Sequence, residues 1–339
     1  MPRRRINWSE IVEVIRTRCL PYFQSQDVKP TLRTIFYWLV SQNLIPNTKS
    51  SYKTLSRVLV KARKEGTISF EALADKTRYT RGSYDDHVPS DDKVFEYENE
   101  CDEVIDNLTI DKIVRDLIGW FKPTERAGFW AGQPYYVEIW LEKDALADTI
   151  ENWTRDLFVK IRVNRGYPSW TFLYNSAKEL LQTVNTKEKE IVILYLGDHD
   201  PSGIDIERFT KEALQWFKVP FKIIRVAVTP EQVDRYNLPP RPEDAETIAK
   251  LMRDPRSRRY QLNYIVELDA LVAYAPDDFR NELRSTILSY WDRTIYEDMQ
   301  DKARLINERI EEVFKKKKKE LLERLKELVE TELGGEDEI

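Results

Sequence analysis

The spacing of hydrophobic residues changes character along this chain. Up to residue 80, apolar positions recur at three- and four-residue steps, which is the period of an amphipathic helix. This pattern predicts helices over residues 9–23, 31–42 and 50–66, with Ser9 as the N-cap of the first helix. The segment TISFEAL (67–73) then predicts a short strand.

From residue 133 onward, short apolar runs alternate with longer segments of helical spacing. PYYVEIWLE, EIVILYLGDHD and FKIIRVAV have the composition of buried strands. Strands that alternate with helices predict an α/β sheet with mainly parallel strands. YIVELDAL (264–271) is expected to add a final strand. Residues 277–333 are expected to be helical, with the lysines of 315–319 in solvent.

These patterns predict four segments and an α/β fold class. Residues 1–81, three helices followed by a strand, match a winged-helix DNA-binding domain. Residues 82–130 are expected to form an acidic linker, up to about 104, and a helix at about 105–121. An α/β domain then covers residues 131–276, and a long C-terminal helical extension covers 277–339.

Composition excludes several classes of protein. There is no run of 18 apolar residues and no apolar leader after the first methionine, so we expect a cytoplasmic protein with no membrane segment. Two cysteines without a CxxC pair indicate neither a disulfide framework nor a zinc site. The two histidines lie far apart in sequence, which leaves little material for chemistry centred on histidine.

Charge is divided unequally along the chain. Residues 1–81 contain 16 Lys and Arg against 6 Asp and Glu, although the whole chain has a net charge of −5. Because the local field governs nucleic-acid binding, the third predicted helix is the candidate DNA-binding element. Its basic residues are Lys49, Lys53, Arg57, Lys61, Arg63 and Lys64. The alternative is a solvated basic face without a ligand.

Carboxylates follow two of the predicted strands. Glu142 ends the first apolar run, and Asp198 and Asp200 follow the run EIVILYLG. In an open α/β sheet the functional crevice lies beyond the carboxyl ends of the strands, so neighbouring strands would bring these acids together. Three oxygen donors without His or Cys favour Mg²⁺. The alternative is that Asp198 only caps the next helix.

An apolar strand ending in Glu, followed by a helix and a second strand ending in Asp-x-Asp-Pro-x-Gly, resembles the Toprim domain of topoisomerases, primases and certain nucleases. The order of winged helix, acidic connector and Toprim resembles the A subunit of topoisomerase VI and the related meiotic double-strand-break protein, in a compact form. Gly166-Tyr167-Pro168 and Asp200-Pro201-Ser202-Gly203 match motifs of that family. The resemblance covers about residues 30–230.

The resemblance implies a catalytic tyrosine. Leu32-Arg33-Thr34-Ile35-Phe36-Tyr37 is similar to the family motif, so Tyr37 is expected to attack the DNA backbone and form a 5′-phosphotyrosyl link, with Arg33 beside it and Glu142 in the catalytic site. Helical geometry places Tyr37 outside the apolar stripe of its helix. The alternatives are a tyrosine packed at the edge of the core, or Tyr52 as the nucleophile.

The function expected from the resemblance is Mg²⁺-dependent cleavage of double-stranded DNA by a homodimer, the isomerase chemistry of a type IIB topoisomerase. The chain has no GxxxxGK[ST] loop, so ATP-driven strand passage would need a separate ATPase subunit of the B type. One alternative is a Toprim nuclease that uses water instead of tyrosine. The other is a DNA-binding or assembly protein without catalysis.

Five further residues near the predicted strand ends have open roles. Lys143 is expected either to contact a DNA phosphate or to pair with the acids. Asp205 fits an ordinary first-turn acid better than a metal ligand. Glu267 and Asp269 are less favoured candidates for the same crevice, and His199 is expected to occupy a turn position.

Overall fold

A computed structural model describes residues 6–25, 30–73, 79–106, 124–240, 249, 253–260 and 265–333. The chain folds into two compact units. The first contains residues 1–82, 135–155 and 159–286, and the second contains 83–134, 156–158 and 287–339. These units divide the chain differently from the four predicted segments. The boundaries of those segments stay a prediction.

The helices of the first 65 residues surround a hydrophobic core of their own. They are α1 (Trp8–Val14), a π-helical turn (Ile15–Cys19), α2 (Leu20–Ser25), α3 (Leu32–Ser41) and α4 (Lys49–Lys64). Residues at helical spacing point inward and are fully buried, including Ile15, Ile35, Leu39, Leu55 and Leu59. The three predicted helices are therefore confirmed.

Two local predictions in this region are wrong. The N-cap of α1 is Asn7, whose side chain accepts a hydrogen bond from the backbone N–H of Ser9. TISFEAL forms no strand, because Phe70–Ala72 is a 3₁₀ turn capped by Ser69. The strand in this part of the chain is β1 (Tyr79–Arg81).

The described residues contain a five-stranded sheet in the order β1-β3-β2-β4-β5. Its other strands are β2 (Tyr135–Leu141), β3 (Lys160–Val163), β4 (Glu190–Leu196) and β5 (Phe221–Ala227). In this spatial order β3, β2, β4 and β5 are parallel to one another, and β1 pairs antiparallel with β3. The predicted α/β class with mainly parallel strands is confirmed, and β2 and β4 are almost wholly buried, as parallel strands usually are.

Helices connect these strands and follow them. They are α6 (Ala147–Thr154), α7 (Trp170–Lys187), α8 (Pro201–Trp216), α9 (Pro230–Tyr236), α10 (Pro255–Arg259), α11 (Leu268–Tyr274) and α12 (Pro276–Leu288). The strand predicted at 264–271 is wrong. Only Val266 forms an isolated bridge, to His199, and α11 begins at Leu268.

In the second unit two helices pack along each other. α5 (Asp92–Asp106) and α13 (Arg293–Leu333) share a small core of Val94, Tyr97, Cys101, Ile306 and Ile310. The linker predicted up to residue 104 is therefore helical from Asp92, and most of the helix predicted at 105–121 lies outside the described residues. Lys317, expected in solvent, is 5% exposed and pairs with Asp102 and Glu320. No helix in the described segments is both long enough and apolar enough to cross a bilayer.

Candidate metal centre

The two strands that carry the predicted acids are neighbours. β2 and β4 run parallel in a register that pairs Leu141 with Leu196. The backbone N–H of Glu142 donates to the carbonyl of Leu196 at 2.9 Å, so the pairing continues one residue beyond β2. Glu142 and the segment that begins at Gly197 therefore lie at the same carboxyl edge of the sheet, as predicted.

Glu142 and Asp198 are in direct contact. The backbone N–H of Asp198 donates to Oε2 of Glu142 at 3.1 Å. Glycines allow this approach, because a Cβ atom added at Gly197 or Gly203 would lie 2.7 or 2.9 Å from the same oxygen. Any other residue at these two positions would displace the Glu142 carboxylate.

The Asp198 carboxylate is held from the opposite side by the segment before α11. Its Oδ1 accepts the backbone N–H of Leu268 at 2.8 Å. His199 and Val266 exchange two backbone hydrogen bonds, of 2.8 and 3.1 Å. His199 thus lies in a two-residue bridge that ties this segment to the end of β4, and it is buried.

Asp200, and not Asp198, caps the next helix. Its Oδ1 accepts the backbone N–H of Gly203 at 2.6 Å, and Pro201 occupies the first turn of α8. Pro is favoured there because the first helical N–H groups have no partner within the helix. The alternative was thus correct that an aspartate caps this helix, and wrong that the aspartate is Asp198.

Glu142 and Asp198 have raised pKa values, mainly because they are shielded from water. Burial, followed by the negative charges of Asp198 and Asp200, raises the pKa of Glu142 to about 7. Burial also raises the pKa of Asp198. Burial, and then the positive charge of Arg225, lowers the pKa of His199. The edge of the sheet therefore carries carboxylates whose negative charges oppose one another.

Arg225, on β5, supports the loop that presents these acids. Its guanidinium donates to the carbonyl oxygens of Asp198 at 2.6 Å and Gly197 at 3.3 Å. The same group pairs with Glu207 of α8 at 2.6 Å. Sequence analysis did not single out Arg225, because a basic residue inside an apolar strand carries no motif.

Lys143 pairs with acids, which is one of the two roles predicted for it. Its Nζ contacts Asp269, lies 3.5 Å from Glu267 and lies 3.8 Å from Asp198. Burial lowers the pKa of Lys143, but the hydrogen bond with Asp269 and the surrounding acids outweigh it and leave the pKa raised. Glu267 and Asp269 therefore do reach the rim of the crevice, through this lysine.

The three carboxylates are suitable ligands for a hard cation such as Mg²⁺, but they do not surround a common point. Within the described residues, no three Asp, Glu, His or Cys side chains converge closely enough to hold a metal ion. Glu142, Asp198 and Asp200 each use one oxygen to accept a backbone N–H. A carboxylate has two oxygens and about four lone-pair sites, so these bonds leave each acid with an oxygen that could bind a cation.

Tyr37 lies outside the hydrophobic core. It is 55% exposed on α3, and its ring packs edge-on against Phe36 with the centroids 5.4 Å apart. Because Phe36 belongs to the buried core, this contact leaves the alternative of a tyrosine at the edge of the core open. Tyr52 is less accessible, because its ring packs against the other side of Phe36 at 5.3 Å. The Arg33 side chain lies outside the described residues.

The basic residues of α4 separate into two groups. Arg63 is 7% exposed, because its guanidinium donates to Thr171 at 2.6 Å and to the carbonyl of Leu59 at 3.3 Å. It therefore cannot contact DNA as predicted. The other predicted DNA-binding residues of this helix are exposed: Lys49, Lys53, Arg57, Lys61 and Lys64. Of these, Lys64 lies over the ring of Trp170 at 3.7 Å.

No protein-family model matches this chain, and no curated protein matches it.

Proposed function

We propose that this protein cleaves DNA by Mg²⁺-dependent tyrosine transesterification, in the manner of a topoisomerase VI A subunit. The observation that carries the proposal is the grouping of Glu142, Asp198 and Asp200 at the carboxyl edge of two adjacent parallel strands. Burial, and then the neighbouring acids, raise the pKa of Glu142, and shifts of this kind are typical of sites that hold a cation or exchange protons.

The three carboxylates would hold the metal ion, which supplies charge neutralisation at a phosphate. The chain's own residues position these acids. Arg225 holds the carbonyl groups of Gly197 and Asp198, and Leu268 holds one oxygen of Asp198. Lys143 places a positive charge at the rim, within 3.8 Å of Asp198.

Tyr37 supplies the nucleophile in this proposal. Its hydroxyl loses its proton as the oxygen forms a bond to phosphorus, the bond from phosphorus to the 3′ oxygen breaks, and the 3′ oxygen takes up a proton in return. The product is a 5′-phosphotyrosyl link and a free 3′-hydroxyl. The exposure of Tyr37 supports this role, because a duplex can approach a side chain that protrudes from α3.

The direct test is detection of the covalent adduct. Supercoiled DNA is incubated with the protein and Mg²⁺, denatured with detergent and divided into portions with and without protease. We expect DNA retention that protease abolishes, and we expect Tyr37→Phe to remove it without weakening DNA binding. Tyr22→Phe is the matched control, since Tyr22 is a second tyrosine of the helical region and is 50% exposed. Adducts that persist in Tyr37→Phe would overturn the assignment.

A Toprim-type nuclease that uses water is the second candidate. The observation that favours it is that the hydrogen bonds described for the three acids come from the backbone N–H groups of Asp198, Gly203 and Leu268, and none comes from Tyr37. In the transesterification proposal, Tyr37 instead reaches the acids of a second copy in a homodimer, and a B-type ATPase would be a separate partner. Mg²⁺-dependent cutting that survives in Tyr37→Phe would select the nuclease.

The third candidate, a DNA-binding protein without catalysis, makes a different prediction. DNA binding would survive in Asp198→Ala and Asp200→Ala, and the parent protein would show no cleavage with Mg²⁺. Cleavage by the parent that both variants lose would exclude this candidate.

A further inference from the structure

A hydrogen-bonded path leads from the acidic edge to a second polar cluster. The backbone N–H of Gly166 donates to the carbonyl of Glu142 at 3.2 Å. The next residue, Tyr167, donates its hydroxyl to Oδ2 of Asp205 at 2.6 Å. Gly166 has φ +78°, a conformation that side-chain-bearing residues rarely adopt, so the turn specifically uses glycine. The Gly-Tyr-Pro turn thus connects Glu142 to α8.

Asp205 is the centre of this second cluster. Its Oδ1 accepts hydrogen bonds from Arg208 at 2.7 Å and from the hydroxyl of Tyr260 at 2.9 Å. Burial opposes its ionisation, but the hydrogen bonds from Arg208, Tyr167 and Tyr260 lower its pKa to about 2. Asp205 is therefore negatively charged at neutral pH, and its two oxygens accept hydrogen bonds from Tyr167, Arg208 and Tyr260.

The anchored segment carries arginines in two different situations. Arg256 is committed to the fold, because it pairs with Asp254 at 2.7 Å and donates to the hydroxyl of Tyr167 at 2.9 Å. Three other arginines on and beside α10 are exposed and have no ion-pair partner among the described residues. We call them the arginine face: Arg253, Arg258 and Arg259.

The segment that carries the arginine face is bonded to the Asp205 and Tyr167 cluster, through Arg256 and Tyr260. Asp205 follows Asp200 by five residues on α8, and a rise of 1.5 Å per residue separates them by about 7–8 Å along the helix axis. One strand of duplex DNA advances about 3.4 Å along its axis for each phosphate. A strand that ran from the acids along α8 would reach the level of Asp205 within roughly two or three nucleotides, and Tyr260, directly after α10, bonds to Asp205.

We propose that the arginine face binds the phosphates of the DNA strand that flank the cleaved bond. Guanidinium groups match phosphate oxygens in charge and in bidentate geometry. Asp205 and Tyr167 bond to Tyr260 and Arg256, and so tie the segment of the arginine face to the turn that bonds to Glu142. The proposal rests on the proposed function, because it names where the flanking part of that substrate binds.

The test measures DNA binding and does not depend on cleavage. A short fluorescein-labelled DNA duplex is titrated in EDTA at salt concentrations from about 50 to 200 mM, and the affinity is followed by fluorescence anisotropy. Each lost phosphate contact lowers the slope of log affinity against log salt by about 0.9. We expect replacement of the three arginines by alanine to reduce the slope by about 2 to 3.

Two further variants make the result specific. Replacement of the same three arginines by lysine retains the charges and should restore most of the slope. The matched control removes three charges from an exposed part of α13, through Lys315→Ala, Lys318→Ala and Lys319→Ala, and should leave the slope unchanged.

The result can overturn this inference without affecting the proposed function. If the triple alanine variant has the slope of the parent, the arginine face does not bind the duplex, although Mg²⁺-dependent cleavage can still be present. If the parent itself does not bind the duplex, the proposed function and this inference both fail.

Discussion

Glu138 lies within β2, and Glu142 follows the strand four residues later, so strand alternation places both on the same face. Their electrostatic surroundings are opposite. Glu138 is completely buried and accepts two hydrogen bonds from Nε of Arg162, at 2.9 and 3.0 Å. Trp140 and Tyr136 donate to the same carboxylate at 2.5 and 3.3 Å. Burial alone would lower the pKa of the Arg162 guanidinium, but the negative charge of Glu138 and of other neighbours has the larger effect, so the pKa is raised.

The surroundings of Glu142 are different, because the nearest charges that act on it belong to other acids. A protein that buries a charge for its fold places an opposite charge beside it, as at Glu138. Like charges repel, so the group at Glu142 is a candidate functional site, and the proposed function depends on it. The comparison leads to four predictions, given from the largest expected effect to the smallest.

Arg162→Ala should give the largest loss of stability. It leaves Glu138 buried without its counter-ion, which typically costs about 3–5 kcal/mol. The measurement is the free energy of unfolding by urea. The control is Glu179→Ala, since this half-exposed partner of Arg162 should contribute about 1 kcal/mol or less. Equal losses in the two variants would show that Glu138 does not depend on Arg162.

Glu142→Gln should remove activity and leave stability intact. We expect the rate of Mg²⁺-dependent DNA cleavage to fall at least about 100-fold, because changes at metal-site residues usually have effects of this size or larger. Without Mg²⁺ the free energy of unfolding should stay the same or rise, since one repelling charge is gone. Glu190→Gln, at the exposed start of β4, is the control. A fully active Glu142→Gln would refute the metal centre.

The pH dependence of stability gives an effect of about 1–3 kcal/mol. The pKa of Glu142 is about 7 in the folded protein and 4.5 for the ordinary group, so the unfolded chain binds fewer protons between these pH values. The free energy of unfolding should therefore fall from about pH 4.5 to about 7 in EDTA. Urea denaturation of the parent and of Glu142→Gln across this window measures the difference. Parallel curves for the two proteins would contradict the shift.

Lys143→Gln should have the smallest effect. Its ammonium group is partly exposed and pairs with acids at the rim, so its loss should change the free energy of unfolding by about 1 kcal/mol or less. Urea denaturation measures the change, and Lys160→Gln is the control, with a side chain of similar exposure. A loss as large as that of Arg162→Ala would mean that Lys143 balances the acids as Arg162 balances Glu138.

The sequence predicts the buried parts of this fold well, because burial leaves a regular pattern. β2 and β4 are continuous apolar runs, and the acids at their ends follow from that assignment. The strand β3 was missed, because Lys160–Val163 is short and two of its four residues are basic. TISFEAL and YIVELDAL were assigned wrongly, because short apolar runs suit a turn or a helix start as well as a strand.

The contacts of the site are less predictable than its position. Both aspartates lie between β4 and α8, so the sequence does not reveal which of them caps the helix. The hydrogen bond from the backbone N–H of Gly203 shows that Asp200 is the cap. Arg225 and Leu268 approach from distant parts of the chain, and no local pattern signals them. Arg63 was wrongly assigned to a DNA-binding face, because helical spacing alone does not reveal its hydrogen bond to Thr171.

The backbone hydrogen bonds at the sheet edge have a consequence for how a substrate meets these acids. The N–H of Glu142 bonds to Leu196, and the N–H of Gly197 bonds to Ala227 at 2.8 Å, so both belong to the ladder of the central strands. Such amides exchange with solvent only when the sheet itself opens. Under the proposed function, DNA would therefore meet acids whose backbone the strands of the sheet hold in place.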